Sequence, residues 1–236
     1  MVAVAEWEES GNVHLPVDAG RKPRPHHRTV ARLAAERLPE GGRLLDLGCG
    51  MGDVAALIHE ARPDARISVA DAYQVCLDAA AAKLGDGLDA AYRMDEATFD
   101  PAAVIQDRYD VVVMSHVIEH LLDPATGLTR AMDRVAPGGR LVLAAPNPAR
   151  PDVLLSNLMR RHYVNRGHVC AWDPSHWRNF LERIMGLDVE AYAADAVYLL
   201  PGRLGRAFAG LAGGPLAKLL PWWAFSNIAV IRQAAD

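Results

Sequence analysis

Two hydrophobic patterns alternate along the chain, and this alternation predicts its secondary structure. Short runs of consecutive apolar residues, typical of buried strands, are separated by longer segments in which apolar residues recur every three or four positions, as on one face of a helix. The two patterns alternate from the first predicted helix to the strand that precedes Pro146. We predict strands at 43–47, 67–70, 90–93, 109–114 and 140–145, and helices at 29–38, 54–61, 74–84 and 124–135.

This regular strand-then-helix order predicts an α/β fold in which a parallel sheet carries helices on both faces. Beyond Pro146 the order becomes irregular, with helices predicted at 152–162, 174–185 and 203–220 and strands at 187–193 and 225–232. We therefore expect one main domain, residues 29–236, which follows an N-terminal arm or flap at 1–28. Insertions near 148–180 and 199–223 are expected to form a small helical cap on this domain.

Composition and charge limit the classes of molecule that the protein is expected to bind. A formal net charge of −4 argues against broad nucleic-acid binding, so a small molecule is the expected substrate. The three cysteines show no CxxC spacing, which indicates reduced thiols and a cytoplasmic location. No apolar run reaches the roughly 18 residues that a membrane-spanning helix needs.

Two segments leave alternatives open. The basic stretch 21–28 is either a solvated lead-in or a flap over an anionic substrate. The apolar stretch 199–223, which ends in Trp222 and Trp223, has three interpretations. It is a packed cap helix, a lid over a hydrophobic substrate, or a helix that makes peripheral contact with a membrane surface.

The strongest chemical signal is a glycine-rich turn after the first predicted strand. Gly48, Gly50 and Gly52 permit positive φ and a close approach of the backbone to a ligand at the carboxyl end of a parallel sheet. The turn differs from the dinucleotide pattern G-x-G-x-x-G, because Asp53 stands where that pattern needs a small residue. A carboxylate there would repel a pyrophosphate, which disfavours a nicotinamide-dependent oxidoreductase.

The run from Asp46 to Gly52, D-x-G-x-G-x-G, resembles motif I of the class I S-adenosylmethionine-dependent methyltransferases. The resemblance implies a Rossmann-like, doubly wound sheet of seven mostly parallel strands with an antiparallel last strand. It also implies that the turn surrounds the amino-acid end of S-adenosylmethionine, whose cationic groups suit a carboxylate at Asp46. We therefore expect an enzyme that transfers methyl groups from this cofactor.

Further matches follow in the same order as in that family. Asp71, at the end of the second strand, takes the position of the acid that binds the ribose hydroxyls. Asp95 or its neighbour Glu96 takes the position of the acid that contacts the adenine amino group. The segment 109–115 resembles motif IV, and its last residue, Ser115, is included among the expected cofactor contacts.

A histidine-rich segment, H-V-I-E-H, directly follows the fourth strand. If this segment is helical, His116, Glu119 and His120 share one face and can converge on one point. Together with the later His168, the pattern is similar to that of two metal-using O-methyltransferase groups. These are the ubiquinone-pathway enzymes and the enzymes that methylate the terminal ribose of small RNAs. The resemblance implies that the four side chains bind a divalent metal.

The first position of this pattern departs from the E-x-x-E-H element of those groups. A histidine at 116 makes the site less suited to Mg²⁺ and better suited to Zn²⁺, Mn²⁺ or Fe²⁺. Two alternatives to a metal stay open. Either His116 or His120 is a metal-free catalytic base, or the histidines are purely structural.

The leading hypothesis is transfer of a methyl group from S-adenosylmethionine to a hydroxyl oxygen of a small molecule that is hydrophobic or anionic, with assistance from a metal. N-methylation and ribose methylation of RNA are alternatives within the same fold, although the negative net charge disfavours RNA. A nicotinamide-dependent oxidoreductase and a catalytically inactive binding protein are the alternatives from other classes.

Overall fold

A computed structural model describes residues 23–160, 164, 167–199, 209 and 214–235. Of the predicted arm, residues 1–22 lie outside this described part. So do residues 200–208 and 210–213 of the predicted cap insertion at 199–223, and the last two residues of the helix predicted at 152–162.

Within the described residues, seven strands form a single sheet. They are β1 (Arg43–Leu47), β2 (Arg66–Asp71), β3 (Leu88–Arg93), β4 (Tyr109–Ser115), β5 (Val135–Pro146), β6 (Asp188–Ala193) and β7 (Ser226–Arg232). Their order across the sheet is β3-β2-β1-β4-β5-β7-β6. The strands from β1 to β5 pair in parallel, whereas β7 runs antiparallel to both of its neighbours. The predicted doubly wound sheet with an antiparallel last strand is confirmed.

Helices cover both faces of the sheet. In the described part they are α1 (Pro25–Ala35), α2 (Asp53–Ala61), α3 (Gln74–Leu84), α4 (Pro124–Met132), α5 (Pro151–Leu158), α6 (Pro174–Arg178) and α7 (Gly214–Leu219). The alternation of side chains along β4 divides the core in two. Val111 and Val113 pack with α1, α2 and α3, whereas Val112 and Met114 pack with α4 and α6.

Several predicted boundaries differ from the structure. The α1 helix begins at Pro25 rather than at residue 29, because proline suits the first helical turn. The next residue, His26, is buried although it is polar, so a pattern of apolar residues does not include it. The helix predicted at 124–135 ends at Met132, and the strand predicted at 140–145 begins earlier, at Val135, as β5. The helix predicted at 174–185 is α6 followed by a π-helical segment, Asn179–Ile184.

The start of α6 fixes the chain segment that crosses the carboxyl edge of the sheet. Asp173 caps this helix, and its Oδ1 accepts hydrogen bonds from the backbone N–H groups of Ser175 and His176 at 2.8 and 3.1 Å. Directly before the cap, the carbonyl oxygen of Trp172 accepts a hydrogen bond from Asn227 Nδ2 at 2.6 Å. These contacts tie the segment that contains His168 to β7.

No helix among the described residues combines the length and the apolar composition that crossing a bilayer requires. Leu219, Trp222 and Trp223 are nevertheless exposed, by 78%, 54% and 42%. Peripheral membrane contact through residues 199–223 stays a prediction, as does a lid formed by the same segment.

Candidate active site

A cavity of about 690 Å³ opens at the carboxyl ends of β1, β2 and β4. We divide its lining into two halves according to the elements that supply them. The cofactor half contains the glycine turn and the acids that follow β1, β2 and β3, namely Asp46, 48–51, Asp53, Asp71, 94–96 and Ser115. The acceptor half contains residues from α1, the turn after β4, the start of α5 and the segment before α6, namely Arg24, His26, His116, Glu119, His120, Arg150, 167–171 and Phe225.

The glycine turn has a packed side and an open side. At Gly52, φ is +74° and an added Cβ would lie 2.6 Å from Cα of Ala80, so packing against α3 excludes a side chain. A Cβ on Gly48 would collide with Val117. At Gly50, φ is +49° and nothing lies within 4 Å of the Cβ position, which leaves room for a ligand against the backbone.

Asp71 joins the tip of β2 to the glycine turn. Its Oδ2 accepts a hydrogen bond from Gly50 N–H at 2.8 Å, and its Oδ1 accepts one from Tyr73 N–H at 3.0 Å. The side chain is buried yet lines the cavity. A carboxylate held in this way can accept hydrogen bonds from the two hydroxyls of a ribose that lies on the turn.

Asp46 is a buried acid with a perturbed pKa. Its side chain is 2% exposed, and no described residue donates a hydrogen bond to Oδ2. Burial raises the pKa of Asp46 to about 7, the negative charge of Asp71 adds to this effect, and a hydrogen bond from the backbone of Ala55 opposes it. A cationic ligand beside this carboxyl group would favour the ionised form.

The remaining predicted cofactor residues lie at the rim of the same half. Asp95 and Glu96 are exposed, and Glu96 Oε1 accepts a hydrogen bond from the hydroxyl of Tyr73 at 2.7 Å. Ser115 lines the cavity from the end of β4. Of the predicted cofactor residues, Gly52 is the one that does not line the cavity, because it packs against α3.

The segment after β4 does not continue as a helix from His116. This residue has a positive φ of 58°, and a short 3-10 turn, Ile118–His120, follows it. His116 Nε2 lies 2.9 Å from Ser226 Oγ, and its Nδ1 lies 3.5 Å from Glu119 Oε1, at the outer limit of a hydrogen bond. A reversal of the backbone, rather than a shared helix face, therefore brings His116 to Glu119.

Glu119, His120 and His168 form a group whose ligand atoms all lie within 4.8 Å of one another. His120 Nε2 and His168 Nε2 lie 4.0 and 3.8 Å from Glu119 Oε1. Glu119 is 1% exposed, and neither of its carboxylate oxygens has a hydrogen-bond donor among the described residues. Of the four predicted ligands, the structure groups these three, and His116 lies beside the group.

The charge states of this group suit a divalent cation. Burial raises the pKa of Glu119, but the closeness of His116 and His120 outweighs it, so the pKa lies below the ordinary value. Burial lowers the pKa of His168 to about 4. An ionised carboxylate therefore faces a neutral imidazole near neutral pH. This combination is a common donor set for Zn²⁺, Mn²⁺ and Fe²⁺.

The backbone orients the three donors. His120 Nδ1 lies 3.1 Å from the carbonyl oxygen of Gly167, and a carbonyl can only accept, so Nδ1 carries a proton. In the neutral form of the ring, this leaves the lone pair on Nε2. The carbonyl oxygen of Glu119 accepts hydrogen bonds from the backbone N–H groups of Val169 and Cys170 at 2.8 and 3.2 Å. The segment around His168 is thereby held against the turn after β4.

Four side chains of the acceptor half that were not predicted as site residues are those of Arg24, His26, Arg150 and Phe225. The ring of His26 lies 5.2 Å from that of Phe225, nearly parallel to it, and 4.5 Å from that of His116. Burial, followed by the charge of His116, lowers the pKa of His26 well below its ordinary value. The guanidinium carbon of Arg150 lies 4.3 Å from the centre of the Phe225 ring.

The sequence does carry a signal for two of these residues. Arg24-Pro25 and Arg150-Pro151 each place an arginine directly before a proline, which marks a helix start. The N-cap position usually holds a side chain that accepts hydrogen bonds, and arginine has no acceptor atom. Two such unusual helix starts point to a ligand-facing role that hydrophobic periodicity does not reveal.

The chain matches the family model described as "Methyltransferase domain" over residues 19–192. It belongs to the class I S-adenosylmethionine-dependent methyltransferases. A ubiquinone biosynthesis O-methyltransferase of Caulobacter sp. (strain K31) is 30% identical over 180 residues, which cover 74% of this chain and 66% of that protein. The chain thus spans about two thirds of this relative's length. The predicted enzyme class is confirmed, and the nicotinamide-dependent oxidoreductase is set aside.

Solved structures agree at the level of the fold. The N-methyltransferase NodS from Bradyrhizobium japonicum, in complex with S-adenosyl-L-homocysteine, has a TM-score of 0.57 at 16% identity and covers 88% of this chain and 85% of its own. The [4+2]-cyclase SpnF has a TM-score of 0.59 at 18% identity, with coverages of 89% and 81%. These identities show the shared fold alone, and the names of the two proteins describe different reactions.

Proposed function

We propose that this methyltransferase acts on a hydroxyl oxygen of a small molecule, and that a divalent cation bound by Glu119, His120 and His168 assists it. The observation that carries the proposal is the buried carboxylate of Glu119, which faces the imidazoles of His120 and His168. Among the described residues it has no hydrogen bond of ordinary geometry, since His116 Nδ1 lies 3.5 Å from Oε1. It lies in the same cavity as the glycine turn. The relative named for O-methylation in ubiquinone biosynthesis supports an oxygen acceptor.

The cofactor half binds and orients the methyl donor. S-adenosylmethionine supplies an electrophilic methyl group on a sulfonium when it is bound. The open backbone at Gly50 accommodates the cofactor, and Asp71 accepts hydrogen bonds from its ribose hydroxyls. Asp46 provides a negative charge near the cationic amino-acid end. Methyl transfer is an in-line displacement, so this positioning contributes directly to the rate.

The acceptor half prepares the nucleophile. Glu119 contributes an ionised oxygen, and His120 contributes an imidazole nitrogen that is oriented by the contact with the carbonyl oxygen of Gly167. His168 contributes a second imidazole nitrogen from a segment that the N–H group of Val169 holds against Glu119. A cation held there would lower the pKa of an acceptor hydroxyl and make its oxygen nucleophilic at neutral pH. The near-complete burial of Glu119 keeps water away from its carboxylate and strengthens its attraction for positive charge.

A second candidate keeps the reaction and omits the cation. In it, His120 removes the hydroxyl proton through Nε2, and the ionised Glu119 stabilises the imidazolium that forms. The same side chains serve both candidates, so they are distinguished by metal dependence rather than by position.

Metal analysis and chelation test the proposal. The purified full-length protein is expected to contain a transition metal by elemental analysis and to lose activity in excess chelator, with recovery when Zn²⁺ or Mn²⁺ is added. Glu119→Gln is expected to lower both metal content and activity by more than about 100-fold, and affinity for S-adenosyl-L-homocysteine should stay unchanged. Full activity of a metal-free sample would refute the cation and favour His120 as the base.

The acceptor is found with labelled cofactor. Incubation with labelled S-adenosylmethionine and a metabolite extract of the host is expected to label a small molecule at a methoxy group. A label recovered on nitrogen, or on ribose of RNA in a parallel incubation, would refute the proposed acceptor class.

Cys49, Cys76 and Cys170, all within the described residues, form no disulfide bond, which supports the cytoplasm as the location of this activity.

A further inference from the structure

We infer that the acceptor carries an acidic group, a carboxylate or a phosphate, and that Arg150 and His26 bind this group. The inference rests on the proposed function, because it assigns a substrate class to the same cavity. It adds an anion subsite, defined as Arg150 and His26, whose side chains both pack against the ring of Phe225.

Helix starts make this side of the cavity electropositive. α1 and α5 both begin at the cavity, each directly after an arginine at the N-cap, Arg24 and Arg150. Helix N-termini carry partial positive charge and usually attract acidic side chains. The first turn of α1 has no acidic residue. The first turn of α5 contains Asp152, which lies against Arg150. Positive side chains at a helix N-terminus are unfavourable by themselves, so an anion bound beside the start of α1 would stabilise that helix start in particular.

His26 supplies a buried nitrogen that lacks a partner. Its side chain is 4% exposed, and no described residue forms a hydrogen bond with Nδ1. The residue lines the cavity, so a turn of its ring would bring Nδ1 to a ligand bound there. Buried polar atoms nearly always have a hydrogen-bond partner in folded proteins. A ligand atom bound in the cavity would provide one here.

Arg150 is held so that part of its guanidinium group remains available. Its Nε lies 2.8 Å from Asp152 Oδ1, and its plane is packed over the ring of Phe225. No described residue accepts a hydrogen bond from Nη1 or Nη2 of Arg150. A fixed guanidinium edge with two N–H donors matches the two oxygens of a carboxylate or phosphate.

The subsite lies beside the proposed cation site. One imidazole separates them, because His116 is 4.5 Å from His26 by ring centres and 3.5 Å from Glu119 Oε1 by its Nδ1. The cofactor half, in contrast, presents Asp46, Asp71 and two further acids after β3, which repel an anion. An acceptor that bears both a hydroxyl and an acidic group therefore has one favoured orientation, with the hydroxyl at Glu119 and the acid at Arg150.

Binding of small probes tests the subsite. We would titrate 3,4-dihydroxybenzoate, its neutral analogue 3,4-dihydroxybenzamide and phenyl phosphate into the full-length protein, with and without saturating S-adenosyl-L-homocysteine. The expected result is that the benzoate binds at least about tenfold more tightly than the amide, and that Arg150→Gln removes this difference. Comparison of the benzoate with phenyl phosphate shows whether the subsite takes a carboxylate or a phosphate.

Matched variants separate the subsite from general effects of charge and packing. Arg150→Lys should restore part of the preference for the anion. His26→Phe keeps a flat ring against Phe225 and removes the nitrogen, so it should weaken binding of the anion and not of the amide. Arg66→Gln removes one positive charge at the start of β2, away from the cavity, and should change nothing. An equal loss with Arg66→Gln would overturn the inference.

Two further outcomes keep this inference distinct from the proposed function. If S-adenosyl-L-homocysteine binds but the benzoate shows no preference over the amide, the subsite is refuted and the methyltransferase proposal stands. If S-adenosyl-L-homocysteine fails to bind while the benzoate binds through Arg150, the proposed function is refuted and the subsite stands. If Arg150→Gln weakens S-adenosyl-L-homocysteine but not 5′-methylthioadenosine, Arg150 binds the cofactor's own carboxylate, and the inference is wrong.

Discussion

The two halves of the cavity are built in different ways. The cofactor half comes from one stretch of chain between Asp46 and Ser115, and backbone hydrogen bonds hold its centre: Gly48 and Cys49 N–H both donate to the carbonyl oxygen of Ala70. The acceptor half gathers residues from α1, the turn after β4, the start of α5, the segment before α6 and the residue before β7. Variation in the acceptor half can therefore change the reaction without disturbing the binding of the cofactor.

The largest effect is expected for Gly52→Ala. The new methyl group would meet backbone atoms of Ala80 at a positive φ, so the free energy of unfolding should fall by about 3 kcal/mol, and binding of S-adenosyl-L-homocysteine should be lost. Gly50→Ala is the matched control, since φ is also positive there but the space is open, and should cost about 1 kcal/mol. Denaturant unfolding measures both, and equal losses would show that packing against α3 is unimportant.

Asp71→Asn tests the cofactor half at the acid that accepts hydrogen bonds from the N–H groups of Gly50 and Tyr73, one of which the amide group loses. The neutral amide loses charge-assisted hydrogen bonds to the ribose, so affinity for S-adenosyl-L-homocysteine should fall by about 10- to 100-fold in calorimetry. Asp95→Asn, which changes an exposed acid at the rim, should lower it by less than about fivefold. A larger effect at Asp95 than at Asp71 would contradict the assignment of the ribose contact.

The pH dependence of cofactor binding tests Asp46. The pKa of Asp46 is raised to about 7, and S-adenosylmethionine is cationic. Binding should therefore favour the ionised carboxylate of Asp46, so a proton should be released on binding below about pH 7. Affinity should then rise with pH, by at most about tenfold per unit, and level off above pH 7. Asp46→Asn should flatten this profile.

The same shift affects the stability of the unliganded protein. The folded-state pKa of Asp46 lies above that of an unfolded aspartate, so its contribution to stability is complete below about pH 4 and is lost as the pH rises through about 7. Thermal unfolding of wild type and Asp46→Asn across this range measures the difference. A parallel pH dependence of the two proteins would contradict the raised pKa.

The smallest effect on cofactor binding is expected for His168→Ala. The residue belongs to the acceptor half, so affinity for S-adenosyl-L-homocysteine should change by less than about twofold, whereas retention of a divalent metal should fall by more than about 100-fold. Ligand calorimetry and elemental analysis of the same sample measure both quantities. A large loss of cofactor affinity would show that the two halves are coupled.

Comparison with solved structures shows why the acceptor half must be tested separately from cofactor binding. SpnF, named as a [4+2]-cyclase, shares the fold of this chain across most of its length. The sheet and the position of its carboxyl edge are therefore compatible with more than one reaction. For this chain, the group formed by Glu119, His120 and His168 distinguishes the proposed chemistry from that of a bare methyltransferase fold.

The sequence by itself determined the strand-then-helix order, the glycine turn and the acids that follow β1, β2 and β3. Each of these depends on residues close together in the chain, so the local pattern specifies the local structure. The start of α1 at Pro25 was missed because the buried polar residue His26 interrupts the hydrophobic pattern there.

Only the tertiary structure decided how the histidines are arranged. His116 adopts a positive φ and turns to Ser226 and Glu119, whereas His168 is brought to Glu119 by backbone hydrogen bonds from a segment far along the chain. His26 becomes part of the cavity because α1 packs against the sheet beside β4 and β7. Contacts between segments that are distant in the sequence leave no periodic signal, since they depend on the packing of the whole domain.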